Sequence, residues 1–462
     1  MIRSLLLATA ALIPPAHLAS NHTLTFGVFG RVTVYRPSGA PTAVALFFSG
    51  DGGWTEGVVD MARAISGDGV LVLGVDTPGY LRRLDASHPV CVSFAEAAEA
   101  LSQYAEKALG LLHYQPPMLL GYSSGAGLVY AALAQAPDNT FQGAVSIGFD
   151  PLLPTRTPAC ERNGLRSQAG PKGRGRLVSR VLRLPAPWIV LHGELDRVSP
   201  IDSARAFVAS VRGGELEPLP SVGHGFSKQS AWLPRLIAAV RRLSPSPSTA
   251  DTTQGSLGDL PLVTLPVPPA PGARPYFALV LSGDGGWASI DKQISEQLVA
   301  EGVPTVGLNS LQYFWKKRSP DEIAADLARI IRHYQAAFDR PSLILVGYSR
   351  GADVLPLMAS RLPSDLLDQV RLLAYLGLER ETDLEFRLGD WLGARHQGTY
   401  RLLPELEKLR GRPMLCIFGE QERGSLCPEL PSGLAEKVEL AGGHHFGGDY
   451  RALVQLILDH VR

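Results

Sequence analysis

Two stretches of the chain place a serine between glycines in the pattern Gly-x-Ser-x-Gly: Gly121-Tyr122-Ser123-Ser124-Gly125 and Gly347-Tyr348-Ser349-Arg350-Gly351. Each directly follows a short apolar run, Met118-Leu119-Leu120 in one case and Leu343-Ile344-Leu345-Val346 in the other. Each also opens a stretch that reads as helix. This is the setting a nucleophile elbow requires: glycines let the backbone turn sharply from strand to helix, and the serine is held at the tip with a helix N-terminus behind it. The recurrence at equivalent places separates this pattern from a tight turn with an incidental serine.

A serine hydroxyl needs a general base near neutral pH. In the α/β-hydrolase order, an acid and then a histidine follow the serine. The first half offers Asp196, in His192-Gly193-Glu194-Leu195-Asp196-Arg197, and His224, in Gly223-His224-Gly225-Phe226. The second half offers Gly419-Glu420-Gln421-Glu422-Arg423 and Gly443-His444-His445-Phe446. Aligning the glycines sets Glu422 opposite Asp196 and His444 opposite His224, with Glu420 and His445 open as alternatives. The acid would fix the imidazole tautomer and stabilise the imidazolium. An earlier turn, Ser-Gly-Asp-Gly-Gly-Trp, stands at Ser49–Trp54 and again at Ser282–Trp287. Its backbone N–H groups could bind an oxyanion together with the residue after each serine. The candidates are Asp51 or Gly52 with Ser124, and Asp284 or Gly285 with Arg350. The tryptophans that end the turns read as core.

The elements that must position these groups repeat as well. Ser49 recurs 233 residues later as Ser282, Ser123 recurs 226 later as Ser349, and His224 recurs 220 later as His444. A slowly drifting offset of that length means two copies of one globular domain rather than a solenoid. Apolar strands are expected at 43–48, 70–75, 118–120 and 188–191, and again at 277–281, 303–308, 343–346 and 414–418. Helices are expected at 94–112 and 323–338. Fully apolar strands alternating with amphipathic helices imply a parallel sheet covered on both faces. The fold class is therefore α/β: a tandem duplication of an α/β-hydrolase domain, each a mostly parallel sheet with helices on both faces.

With 462 residues the chain exceeds the size of a single core, in keeping with two domains. Hydrophobic residues make up 45% and charged residues 19%, which argues against disorder over most of its length. Lys+Arg and Asp+Glu are both 44, so the basic excess of a nucleic-acid binder is missing. No uncharged apolar run is long enough to span a bilayer. Residues 1–20 read as a secretory signal peptide: a positive start, an apolar run from Leu5 to Ile13, and small residues near Ala19. The Asn21-His22-Thr23 sequon is so close to that cut that it is read as chance. Residues 21–243 form the first domain and 244–258 a Ser/Pro-rich linker. The second domain covers 259–462 and opens with an edge strand near Leu260–Val267. Export permits disulfides, and the halves suggest Cys91 with Cys160 and Cys416 with Cys427.

The second half resembles a known family. Ser282–Trp287, Leu311–Pro320, Gly347–Pro356, Asp390–Gly393, Cys416 through Cys427 and Gly443–Tyr450 are similar to the VirJ/AcvB family over most of residues 260–462. The related N-terminal copy makes the two-domain, AcvB-like form the nearer match. The resemblance implies a periplasmic protein of α/β-hydrolase fold that hydrolyses the aminoacyl ester of aminoacyl-phosphatidylglycerol, lysyl or alanyl. It also implies an association with type IV secretion and virulence. Carried over by position, Ser349 is the nucleophile with Glu422 and His444 as partners, while the N-terminal copy has a full candidate triad of its own.

That chemistry expects no cofactor, and no metal-ligand cluster appears in the sequence. The substrate amine is positive, so a carboxylate near the elbow is of use: Asp353 on the first turn after Ser349, or Asp284 in the early turn. Asp353 could equally favour the helix N-terminus, and Asp284 the turn itself. A basic cluster from Arg162 to Arg183 reads as a solvated loop that could touch anionic lipid. Tyr313, Phe314 and Trp315 either line a lipid-facing mouth or pack half-buried. The expected partners are an aminoacylated phospholipid and secretion-system proteins, with no nucleic acid. The competing readings are a non-catalytic periplasmic adaptor, and an esterase or acyltransferase for another substrate.

Overall fold

The computed structural model describes residues 22–244, 257–267, 274–287, 289–391 and 398–461. The expected signal peptide and all but the ends of the expected linker lie outside the described residues. Two twisted sheets organise the chain. The first has the order β1-β2-β4-β3-β5-β6-β10-β11. Its strands are β1 (His22–Phe26), β2 (Gly30–Tyr35), β3 (Ala43–Phe48), β4 (Val70–Val75), β5 (Met118–Tyr122), β6 (Gly143–Ile147), β10 (Arg183–Gly193) and β11 (Arg212–Leu219). From β4 to β11 neighbouring strands run parallel. The hairpin β1–β2 adds an antiparallel edge.

The second sheet has the order β12-β14-β13-β15-β16-β19-β20. Its strands are β12 (Leu262–Leu265), β13 (Tyr276–Leu281), β14 (Thr305–Leu308), β15 (Ser342–Tyr348), β16 (Val370–Leu376), β19 (Met414–Gly419) and β20 (Glu436–Leu440). Only β12 is antiparallel, at the edge beside β14. Strands β3, β4, β13 and β15 are buried at every residue, as two-sided helical cover demands. The duplication extends to register: Phe48 pairs with Gly121 across β3–β5, and Leu281 pairs with Gly347 across β13–β15. These are α/β-hydrolase sheets, one per half.

Helix Phe94–Ala108 starts on Ser93, whose hydroxyl accepts from the Glu96 amide, and stops short of the expected 112 because Gly110 adopts a positive φ. Helix Pro320–Phe338 starts three residues before the expected 323, at a capping box of Ser319 and Glu322. Leu257 and Leu260 are buried in the second core, so the second domain begins inside the expected linker. Both disulfides are formed, Cys91–Cys160 and Cys416–Cys427.

Two expectations need correction. The basic stretch is not a plain loop: β7 (Leu152–Leu153), β8 (Ser167–Ala169) and β9 (Arg176–Val178) form a small antiparallel sheet over the first domain. Several of its cations already have partners. Arg162 pairs with Glu96 at 2.8 Å, Arg176 bonds the Arg156 carbonyl, and Arg180 lies over the Phe207 ring. Tyr313, Phe314 and Trp315 are fully buried, neither a lipid-facing mouth nor half-buried packing. Tyr313 donates to Asp326 at 2.7 Å. Trp315 joins the two domains: its indole donates to the Leu111 carbonyl at 2.8 Å, while Lys107 caps its carbonyl and pairs with Glu385. Among the described residues no helix is long and apolar enough to cross a membrane.

Candidate active site

Both serines stand at the junction of a central strand and the helix that follows, Ser124–Gln135 or Arg350–Ala359. Ser123 has φ 54° and ψ −118°, and Ser349 has φ 51° and ψ −121°. Positive φ costs a non-glycine residue about 1–3 kcal/mol and persists only where the surroundings enforce it. The flanking glycines show how. A Cβ on Gly121 would lie 2.1 Å from the Gly125 carbonyl oxygen, and one on Gly351 would lie 2.1 Å from that of Leu281. Any side chain there would push the helix away from the sheet and open the turn.

The early turns lie against the elbows. A Cβ on Gly50 would come 3.0 Å from Ser123 Cβ, and one on Gly283 would come 3.5 Å from Ser349 Cβ. Each turn is pinned by a buried hydroxyl. Ser49 Oγ accepts from the Thr77 amide at 3.0 Å, and Ser282 Oγ from the Ser310 amide at 2.9 Å. Trp54 and Trp287 pack where Gly74 and Gly307 lack a Cβ. Among the described residues the N–H groups of Asp51, Gly52, Asp284 and Gly285 donate no hydrogen bond, while Ser124 and Arg350 open their helices with free N–H groups. The Arg350 side chain points away, onto Thr382 Oγ1, the Asp383 carbonyl and the Phe386 ring, leaving its amide as the available donor.

In the first domain Ser123 Oγ lies 2.9 Å from His224 Nε2, and His224 Nδ1 lies 2.7 Å from Asp196 Oδ2. Asp196 is buried, and its other oxygen accepts from the amides of Val198 and Ser199, both at 2.9 Å. In the second domain His444 Nδ1 bonds Glu422 Oε1, and Glu422 Oε2 accepts from the Gly419 amide at 2.6 Å. Burial works against the Glu422 carboxylate, but those hydrogen bonds outweigh it and hold its pKa below the ordinary glutamate value. The hydrogen bond to Glu422 raises His444 against the opposing effect of burial. Ser349 Oγ has no hydrogen-bond partner among the described residues. Such bonds commonly tighten only with substrate present.

The alternatives in the second half take other places. Glu420 accepts from the Gly442 amide at 3.2 Å. His445 stands 3.4 Å from the Tyr348 hydroxyl, its pKa lowered by burial and by His444. Asp353 is buried and accepts from the Glu379 amide at 2.8 Å, so its observed partner is backbone; burial pushes its pKa up to about 8. Asp284 is exposed in its turn. Sequence reasoning passed over the tyrosine of Gly-Tyr-Ser. Tyr122 donates to the His224 carbonyl at 2.8 Å, and Tyr348 to that of His444 at 3.3 Å, so each elbow holds its own histidine loop. The signal was available, since the tyrosine recurs in both copies. It also passed over Gly377, whose positive φ and missing side chain make room for the His444 imidazole: a Cβ there would lie 2.6 Å from the ring.

Solved structures similar to this chain include Est1E from Butyrivibrio proteoclasticus, at 14% identity and TM-score 0.33 over 48% of this chain and 99% of that one. The esterase domain from a Rhodothermus marinus protein matches at 18% identity and TM-score 0.33, over 48% of this chain and 97% of its own. An alpha-beta serine hydrolase homologue from Coxiella burnetii matches at 16% identity and TM-score 0.32, over 49% and 96%. No curated protein matches the chain. The family model described as "Bacterial virulence protein (VirJ)" matches residues 42–153 and 275–462, well over half the chain and parts of both domains. The chain belongs to the VirJ family.

Proposed function

We propose that this protein is a serine ester hydrolase that cleaves the aminoacyl ester of aminoacyl-phosphatidylglycerol, lysyl or alanyl, at the periplasmic face of the membrane. The chemistry is carried by one observation: the unbroken path from Ser123 Oγ through His224 to Asp196, at 2.9 and 2.7 Å. The Glu422–His444 pair beneath Ser349 supports a second site of the same kind. The resemblance to the two-domain form of the VirJ/AcvB family supports the choice of substrate, and the VirJ family match supports a role in virulence.

In this reading the serine oxygen attacks the ester carbonyl carbon as the histidine takes its proton. The turn and elbow N–H groups hold the oxyanion, each such donor contributing about 3 kcal/mol of transition-state stabilisation. The C–O bond to the glycerol headgroup breaks, and that oxygen leaves with the proton from the imidazolium. An aminoacyl-serine remains. Water, deprotonated by the same histidine, then releases the amino acid and restores the serine.

The test incubates the purified protein with lysyl- and alanyl-phosphatidylglycerol and measures free amino acid by mass spectrometry. Release is expected from the wild type and none from Ser123→Ala/Ser349→Ala. Equal release from the double variant overturns the mechanism. No release from the wild type, with no labelling by a fluorophosphonate, returns the adaptor reading.

A further inference from the structure

The N-terminal domain packs against the turn beside Ser349. Gly286 and Trp287 are buried, whereas their counterparts Gly53 and Trp54 in the first domain are partly exposed. Between the domains lies a cavity of about 460 Å³. Glu99, Tyr114 and Thr140 line it from the first domain, and Gly285, Gly286 and Trp287 from the second. Its wall thus includes the turn that carries a candidate oxyanion donor. At the other end of that turn, a Cβ on Gly283 would meet Ser349 Cβ at 3.5 Å.

Glu99 comes from helix Phe94–Ala108, whose start is tethered by the Cys91–Cys160 bridge. Its carboxylate has one hydrogen bond, from the Gln103 side-chain amide at 3.4 Å, and forms no salt bridge among the described residues. Lys292, the cation in the cavity wall, is taken by Asp138. Burial, with Asp284 and Glu96 close by, pushes Glu99 up to about 8, the signature of a carboxyl group that lacks a counter-charge. In the same wall Thr140 Oγ1 is buried with no hydrogen-bond partner, an orphan that a polar ligand group would satisfy.

We propose that this interdomain cavity is a binding subsite of the C-terminal site for a primary ammonium group, and that Glu99, from the other domain, is the carboxylate that receives it. The proposal rests on the hydrolase reading for its substrate, and it deepens that reading. An ester whose carbonyl meets the turn N–H groups has its acyl side within reach of the cavity. The ammonium supplies the charge that Glu99 lacks. The N-terminal domain then plays a second role, completing the specificity of its partner domain.

The test uses the full-length oxidised protein and L-lysinamide as the probe, with its doubly N-acetylated form as the neutral control, followed by calorimetry. The wild type and Ser349→Ala are expected to bind lysinamide alike. Glu99→Gln is expected to weaken that binding at least tenfold, with the acetylated form binding none of the three. Undiminished binding by a folded Glu99→Gln protein overturns the proposal, and so does equal binding of the acetylated probe. Should Glu99→Gln fail to fold, Glu99→Asp, which keeps the carboxyl group, and Thr140→Val provide the comparison: binding retained by the first and weakened by the second is expected, and binding lost in the first or undiminished in the second overturns it. Hydrolysis by Ser123→Ala, which keeps only the C-terminal serine, is a separate readout, so the failure of the chemistry and the failure of the subsite are told apart.

Discussion

Gly351 has no room for a methyl group, because the Leu281 carbonyl oxygen occupies the space where a Cβ would stand. A backbone carbonyl cannot swing aside as a side-chain end can. Gly351→Ala is therefore expected to destabilise the second domain by about 1–3 kcal/mol and to displace Ser349. A denaturant melt read beside fluorophosphonate labelling of a Ser123→Ala background checks both effects. The titration of His444 gives a second residue-scale prediction. A general base works in its neutral form, and Glu422 favours the charged imidazolium, so the proton is held to higher pH. In the Ser123→Ala background the acidic limb of the kcat/KM profile is expected above the 6.5 of an ordinary imidazole. Glu422→Gln should shift that limb down and lower the rate by a factor on the order of 10³ to 10⁴. An unmoved limb would show that Glu422 does not govern this histidine. The serines, acids and histidines were legible because chemistry restricts their types and the duplication displays them twice. The place of Glu99 in the wall of the interdomain cavity was not, since it depends on how the halves dock.

At the scale of elements, the buried strands were the easiest to read: only strands covered on both faces are apolar at every position, and β3 and β4 fall at the expected residues. The hairpin β1–β2 escaped notice because Thr23, Thr25, Arg31 and Thr33 dilute its apolar pattern. The strands over the basic stretch have two or three residues each, too short for any period to show. Trp315 misled because burial against a neighbouring domain leaves no periodic mark. The disulfides act at this scale too. Cys91–Cys160 closes a separation of 69 residues and Cys416–Cys427 one of 11. By loop-closure entropy, replacing the first pair with serine is expected to cost about 4 kcal/mol and the second about 3 kcal/mol. Denaturant midpoints of the two double variants measure this, and a smaller loss for the longer loop would mean that native contacts, not chain entropy, dominate.

For the whole molecule the question is why one chain keeps two elbows that differ in finish. The first has its serine bonded to the histidine and the Gly53–Trp54 end of its turn partly exposed; the second has its acid–histidine pair made, its serine unbonded, and the Gly286–Trp287 end of its turn buried. On the proposed function, two elbows with different surroundings would differ in their reach toward substrate rather than duplicate one another. A fluorophosphonate titration separates the cases. The wild type should take up two adducts per chain by intact mass, Ser123→Ala and Ser349→Ala one each, and the double variant none. The first site should label faster, because its serine already shares a hydrogen bond with its base, whereas the second must first draw Ser349 toward His444. A Trp315→Ala variant, which removes the indole that joins the domains, should loosen the cover over the second turn and narrow that difference in rate. A difference that persists unchanged would place its origin within the elbows themselves, and the domain interface would then serve stability alone.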